Sequence, residues 1–288
     1  MKTSYKMFIA DVDNTLRGFK ERPGGKMQPP TTIPTPGPKT LEALAKMHEQ
    51  GMIVGIASGR PLWQEVETHD EDWGLNFHFD YCIGMNGGEI KFKGDDKVYK
   101  NYPLSCDQLK FITDTFKDLE GTTPFVYRDG FELALEVDEE MKKSGIKHHC
   151  DIVQASGLDE LCSKPTGKIL YRCVSNERAL EIEAYGKKVF GDKLLCFKTG
   201  PSLVEIQDPR VHKGLGCKLV AEHFGIDLND VIAFGDAGND IEMLEIAGHS
   251  VCLANGMPEA KEKANDITEF AAYEDGVGEY IFAKGIVK

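Results

Sequence analysis

The 288-residue chain contains no Cys-x-x-Cys pair and no G-x-x-x-x-G-K phosphate loop. It also has no apolar run approaching the ~18 residues of a membrane-spanning helix. The missing Cys-x-x-Cys and the lack of a Cys/His cluster at zinc spacing argue against a structural zinc site. The missing G-x-x-x-x-G-K removes the P-loop class of nucleotide enzymes. Cations are in short supply, with 34 Lys and Arg against 47 Asp and Glu and a formal net charge of -13. Such an acidic balance repels nucleic acid and anionic lipid, so neither a nucleic acid nor a membrane is expected as a partner. An anionic substrate would then need local cations or a metal. The start, MKTSYKMFIADVD, lacks an apolar stretch long enough for a signal peptide. Eight cysteines are scattered from position 82 to position 252. They are expected to be free structural thiols in a cytoplasmic protein.

What is present suits a large globular fold. Hydrophobic residues make up 41% and aromatics 9%, enough for a sizeable core. Residues 6–10 (KMFIA) read as a buried strand, and PKTLEALAKMHEQG (38–51) has helical spacing that stops at Gly51. MIVGIASGR (52–60) is a second buried strand, so the opening is a βαβ pattern that favours a parallel sheet. KGLGCKLVAEHFGI (213–226) reads as a helix. DVIAFGDAGNDIEMLEIAG (230–248) then gives strand, acidic turn and helix, and SVCLAN (250–255) a further strand. The middle of the chain is different. It carries hairpin signals at Gly94-Asp95 and Asp129-Gly130, strand candidates KILYRCV and KLLCFKTG, and helical patterns over 105–119 and 176–190. The expected architecture is α/β: a core of residues 1–86 and 198–288 with an α+β insert at 87–197. MNGGEI (85–90) and KTGPSLVEI (198–206) are expected to be hinges. Residues 22–39 hold six of the thirteen prolines, which reads as a solvated loop or a lid.

Ligands in an open parallel sheet bind beyond the carboxyl ends of the strands. There this chain places Asp11 and Asp13 after the first strand, and Ser58, Gly59 and Arg60 after the second. Gly235, Asp236, Asn239 and Asp240 follow the 230–234 strand, and Lys213 precedes a helix. Each group alone is compatible with an ordinary turn or surface. Three apolar strands that each end in polar groups point to one common site, because a carboxylate there is costly unless something pairs with it. Clustered carboxylates are hard ligands suited to Mg²⁺, and a hydroxyl, an amine and backbone N–H groups suit phosphate oxygens. Metal, phosphate and a carboxylate nucleophile together suggest an aspartyl-phosphate intermediate. His148-His149-Cys150-Asp151 reads as structural, since adjacent residues of a strand face opposite ways.

The ordered set Asp11-Val-Asp13-Asn14-Thr15, Ser58-Gly59-Arg60, Lys213 and Gly235-Asp236-Ala-Gly238-Asn239-Asp240 resembles the signature of the haloacid dehalogenase (HAD) superfamily. The insert resembles the type IIB cap of its Cof-like branch, a likeness shared by MNGGEI and EDGVGEYI. The resemblance implies a Rossmann-like core with an inserted cap. It implies Asp11 as nucleophile and Asp13 as general acid and base. It implies Mg²⁺ held by Asp11, the carbonyl of Asp13 and Asp236, with Asp240 supporting the metal. Ser58 and Lys213 would bind the phosphoryl group with Asn239 nearby, and Asn14, Thr15, Gly59 and Arg60 would line the same substrate site. The usual glycine of the first motif is replaced by Asn14, which tolerates left-handed geometry. Arg128, in the turn Tyr127-Arg128-Asp129, is the cap candidate for substrate contact. The implied activity is a Mg²⁺-dependent phosphatase acting on a small phosphorylated metabolite, most readily a sugar phosphate. A phosphomutase of the phosphomannomutase type and a non-catalytic phosphate-binding protein are the alternatives.

Overall fold

The computed structural model describes residues 4–18, 35–147 and 149–288. Most of the proline-rich segment, expected as a loop or lid, lies outside these residues, as does His148. The chain divides into two compact units. One comprises residues up to Leu62, Val66–Tyr99 and His212–Lys288, and the other Trp63–Glu65 and Lys100–Val211.

Fourteen strands run through the described residues. The first five are β1 (Met7–Asp11), β2 (Ile53–Ala57), β3 (Tyr81–Gly84), β4 (Glu89–Phe92) and β5 (Val98–Lys100). Next come β6 (Thr122–Arg128), β7 (Phe131–Ala134), β8 (Asp151–Gln154), β9 (Lys168–Cys173), β10 (Leu195–Gly200) and β11 (Leu203–Gln207). The last three are β12 (Val231–Gly235), β13 (His249–Cys252) and β14 (Asp266–Ile267).

The first unit is built on a sheet of order β14-β13-β12-β1-β2-β3-β4-β5. It is parallel from β14 to β3 and turns antiparallel at β4. β1, β2 and β12 are almost wholly apolar because helices cover both faces of the sheet. On one face Phe8, Val54 and Phe234 pack against Leu44 and Met47 of the Pro38–Glu49 helix and Ile281 of the Gly276–Ala283 helix. On the other, Met7, Ile9 and Ala233 meet Val220 of the Lys213–Phe224 helix and Leu244 of the Ile241–Ile246 helix. This is a Rossmann-like α/β core.

The second unit is a six-stranded sheet of order β10-β11-β9-β6-β7-β8, antiparallel except for the β7–β8 pair. The Cys106–Phe116 and Asn176–Phe190 helices bury Ile112, Phe116 and Ile182 against Ile169 and Tyr171 of β9. The alternate residues of the strands face the other way and carry a buried ion pair, Lys168 Nζ to Glu205 Oε2 at 2.8 Å. The unit is the expected α+β insert.

Its limits differ from those read in the sequence. The hairpin around Gly94-Asp95 was assigned to the insert, but β4 pairs with β3 and extends the core sheet. The first boundary therefore falls at 99/100 rather than 86/87. Residues 198–206, expected as a hinge, instead form much of β10 and β11 inside the cap sheet, which moves the second boundary to 211/212. No disulfide is formed, and seven of the eight cysteines are buried.

Candidate active site

β12, β1 and β2 are neighbours in the sheet, so their carboxyl ends deliver three loops to one place. Asp11 is the last residue of β1 and is paired in register with Ala57, just before Ser58. Asp236 follows β12 directly. Lys213 begins the helix Lys213–Phe224 and is fully buried, an arrangement charged lysine tolerates only when paired. Its Nζ donates to Asp11 Oδ1 and, at 2.6 Å, to Asp240 Oδ1. Asp240 Oδ2 accepts the backbone N–H groups of Asp236 and Ala237 at 2.9 and 3.0 Å. Both oxygens of Asp240 are thus engaged, and the residue fixes the lysine and the loop after β12. Gly235 is needed there because a side chain would collide with the Asp240 carboxylate.

The Asp236 carboxylate accepts one hydrogen bond among the described residues, from the Thr15 hydroxyl to Oδ1 at 2.9 Å. Burial and then the charge of Asp240 push its pKa up to about 7. Burial also lifts Asp11 well above the usual carboxylate range, against the pull of Lys213 and with help from Asp240 and Asp236. The neighbouring acids hold Lys213 protonated in spite of its burial. One lysine therefore faces three buried acids, too few cations for all of them to ionise easily.

Asp13 differs. Burial alone would raise its pKa, but the Arg60 and Arg17 guanidinium groups outweigh burial and hold it below the usual range. Arg60 Nη2 lies 2.9 Å from Asp13 Oδ2, and Arg17 Nε donates to Oδ1 at 3.0 Å. Two carboxylates one residue apart thus sit in opposite environments, Asp11 beside buried acids and one lysine and Asp13 between two arginines. Asn14 adopts φ of +63°, the left-handed geometry that asparagine tolerates. Its carbonyl accepts from Asn255 Nδ2 at 2.8 Å. Close by, burial and the Arg17 charge drive the pKa of His69 down to about 3, so its ring is neutral.

Ser58 is buried, and its Oγ accepts from the Arg60 N–H at 3.2 Å, which leaves the hydroxyl proton for a ligand. Asn239 Nδ2 donates to Asn86 Oδ1 at 3.1 Å. A Cβ on Gly59 would come within 3.1 Å of that same oxygen, so the amide pair lies over the Ser58-Gly59-Arg60 loop. The structure therefore gathers Asp11, Asp13, Asn14, Thr15, Ser58, Gly59, Arg60, Lys213, Asp236, Asn239 and Asp240 within the first unit. Arg128 belongs to the second unit, where its Nη2 donates to the Leu161 carbonyl at 2.6 Å.

The residues fit a divalent cation. Oxygens of Asp11, Asp236 and Asp240 lie within 4.8 Å of one another. The donors are all hard oxygens, and a hard cation would supply the positive charge that lets the buried acids ionise. With Asp240 tied to Lys213 and two N–H groups, Asp11 and Asp236 are the carboxylates with an oxygen to offer.

Sequence reading missed Arg17 and the active-site position of Asn86. Arg17 lies four residues beyond Asp13, a spacing that could have suggested the pair. Asn86 was read as part of a hinge.

A family model for haloacid dehalogenase-like hydrolases matches residues 8–281. The chain belongs to this family and is an enzyme of the hydrolase class. An uncharacterized hydrolase of Schizosaccharomyces pombe, C215.10, is 27% identical over 293 residues, covering 96% of this chain and 89% of that protein. The HMP-PP phosphatase of Serratia proteamaculans is 26% identical, covering 89% and 86%. Among solved structures, the HAD subclass IIB sugar phosphatase BT4131 has the same fold with a TM-score of 0.77 and 22% identity. That match covers 98% of this chain and all of the other.

Proposed function

We propose that the protein is a Mg²⁺-dependent phosphatase acting on a small phosphorylated metabolite, with sugar phosphates as the substrate class. The observation that carries the reading is the buried Lys213 held between Asp11 and Asp240, with Asp13, two residues on from Asp11, paired to Arg60 and Arg17. Asp11 is the nucleophile: its oxygen forms a bond to phosphorus as the bond to the leaving oxygen breaks. Asp13 in its acid form gives a proton to that leaving oxygen. Once ionised, the form its arginines favour, it takes a proton from the water that cleaves the aspartyl phosphate. Lys213, the Ser58 hydroxyl and Asn239 hold the phosphoryl oxygens, since positioning and charge stabilisation do most of the work in phosphoryl transfer. Asp11, Asp236 and the Asp13 carbonyl would hold Mg²⁺, supported by Asp240, and the bound ion supplies positive charge against the phosphoryl group.

Sugar phosphates are favoured by the likeness in fold to BT4131, a sugar phosphatase. The HMP-PP phosphatase among the relatives supports a phosphorylated metabolite more broadly. Eight unpaired cysteines accord with a cytoplasmic setting, and no helix among the described residues is long and apolar enough to cross a membrane. The test is inorganic phosphate release from a panel of phosphorylated sugars, polyols, nucleotides and cofactors, with Mg²⁺ and with EDTA. Release from a few sugar phosphates, abolished by EDTA, is expected. A folded, Mg²⁺-binding protein that releases phosphate from none of them would refute the reading.

A further inference from the structure

The turn after β3 has an unusual backbone. Met85, Asn86 and Gly87 take φ values of +52°, +55° and +101° in succession. Left-handed geometry is routine for glycine and tolerated by asparagine, but it is strained for methionine. Strain of this kind persists only where the surroundings fix it, and it concentrates at functional sites.

Here the surroundings are the catalytic loops. Met85 N–H donates to the Arg60 carbonyl at 2.7 Å and Asn86 N–H to the Ser58 carbonyl at 3.0 Å. Gly87 sits against the start of the Lys213 helix, where a Cβ would come within 2.5 Å of the His212 carbonyl oxygen. The turn thus ties together the loop after β2 and the helix that carries Lys213. The Asn86 side chain reaches the third loop, accepting from Asn239 Nδ2 at 3.1 Å over Gly59.

The residue is only 4% exposed. With Oδ1 taken by Asn239, its Nδ2 has no acceptor among the described residues and is not sealed from solvent. A mere hinge needs the backbone and not the amide. That leaves an N–H pair with no acceptor among the described residues, on a residue bonded to the Ser58 carbonyl and to Asn239, two groups assigned to the phosphoryl site.

We infer that Asn86 is a phosphoryl-binding residue, which donates through Nδ2 to a non-bridging phosphoryl oxygen beside Ser58 and Asn239. The assignment rests on the phosphatase reading of the site. A neutral amide suits this position because Lys213 already supplies a cation, and a fixed donor needs no reorganisation as charge develops on the phosphoryl group.

The test compares wild type with Asn86→Asp and Asn86→Gly. Aspartate tolerates the left-handed turn and still accepts from Asn239, but it presents a charged oxygen where the donor was. Glycine relaxes the backbone and removes the amide. Binding of orthovanadate is read by thermal shift in Mg²⁺, alongside kcat/KM on p-nitrophenyl phosphate. The expected result is a loss of at least tenfold in vanadate affinity and in kcat/KM for both variants, with the melting temperature of vanadate-free Asn86→Gly unchanged or raised and that of Asn86→Asp lowered by its buried charge. Vanadate affinity within twofold of wild type in a folded variant overturns the inference and leaves Asn86 a structural latch. If Asn86→Asp does not fold, Asn86→Gly decides alone by the same criterion. A wild type that binds vanadate but hydrolyses no ester refutes the phosphatase reading while the binding comparison still decides the role of Asn86. A wild type that binds no oxyanion overturns both.

Discussion

Replacing Asp236 with Asn should stabilise the metal-free protein while abolishing its activity. Asp236 is 7% exposed, and its bond from Thr15 does not neutralise it. Burial and Asp240 move its pKa from 3.8 to about 7. Unfolded chains lose the proton near 3.8, whereas the folded protein keeps it to about 7. Between those values the folded state binds more protons, so stability falls as pH rises, and the full cost is present above pH 7. Each pH unit in that window is worth ~1.4 kcal/mol, so the total at pH 8 is ~4 kcal/mol and the part present at pH 5 is ~2 kcal/mol. Asparagine keeps an acceptor for Thr15 and does not titrate. In EDTA, urea denaturation should therefore show Asp236→Asn more stable than wild type, by a margin that widens from pH 5 to pH 8. Adding Mg²⁺ should raise the stability of wild type through mass action and leave the variant unmoved. A variant less stable than wild type at pH 8, or a gap that does not change with pH, would refute the electrostatic reasoning.

Lys213→Met should abolish turnover and destabilise the protein by ~3–5 kcal/mol, because it leaves Asp11 and Asp240 buried without their cation; denaturation and phosphate release check the two effects. Asp275 accepts the N–H groups of Lys39 and Thr40 at 2.8 and 2.9 Å, capping the Pro38–Glu49 helix from the far end of the chain. Asp275→Gly, which suits its φ of +68°, should lower stability by ~1–2 kcal/mol with kcat/KM unchanged.

The legible parts of this fold were those where burial leaves a simple trace. MFIA, IVGIA and VIAFG could only be strands covered on both faces, and the acids at their ends could only be tolerated in a shared site. The left-handed Asn14 was foreseeable from the motif. The hairpin of β4 and β5 was not placed correctly, because an alternating segment such as EIKF reads the same whichever sheet it joins. Pairing with β3, a tertiary matter, decides it. For the same reason KTGPSLVEI looked like a hinge, its Gly and Pro marking the turn between β10 and β11 rather than a boundary. Arg17 and Asn86 escaped because their roles come from the folded approach of separate loops. An isolated arginine and an Asn-Gly pair have many ordinary uses in turns.

The opening of EDGVGEYI acquired a physical reason only in the structure. Asp275 caps a helix more than 230 residues earlier, and the Gly278 N–H donates to the Thr40 hydroxyl at 3.0 Å. A side chain at Gly278 would collide with the backbone at Lys39 and Thr40. The tail thus anchors the helix that follows the proline-rich segment, a structural task that leaves the chemistry to the strand ends.

The claim on which the account turns is that Asp11 takes up the phosphoryl group. The direct measurement is rapid acid quench during turnover of a sugar phosphate identified by the panel, followed by peptide mass spectrometry of wild type and of Asp13→Asn. One added phosphoryl group is expected on the peptide containing Asp11 in wild type, and less of it in Asp13→Asn, which cannot protonate the sugar leaving group. Asp11→Asn should show neither the modification nor turnover. Turnover retained by Asp11→Asn, or a phosphoryl group found on a different residue, would contradict it.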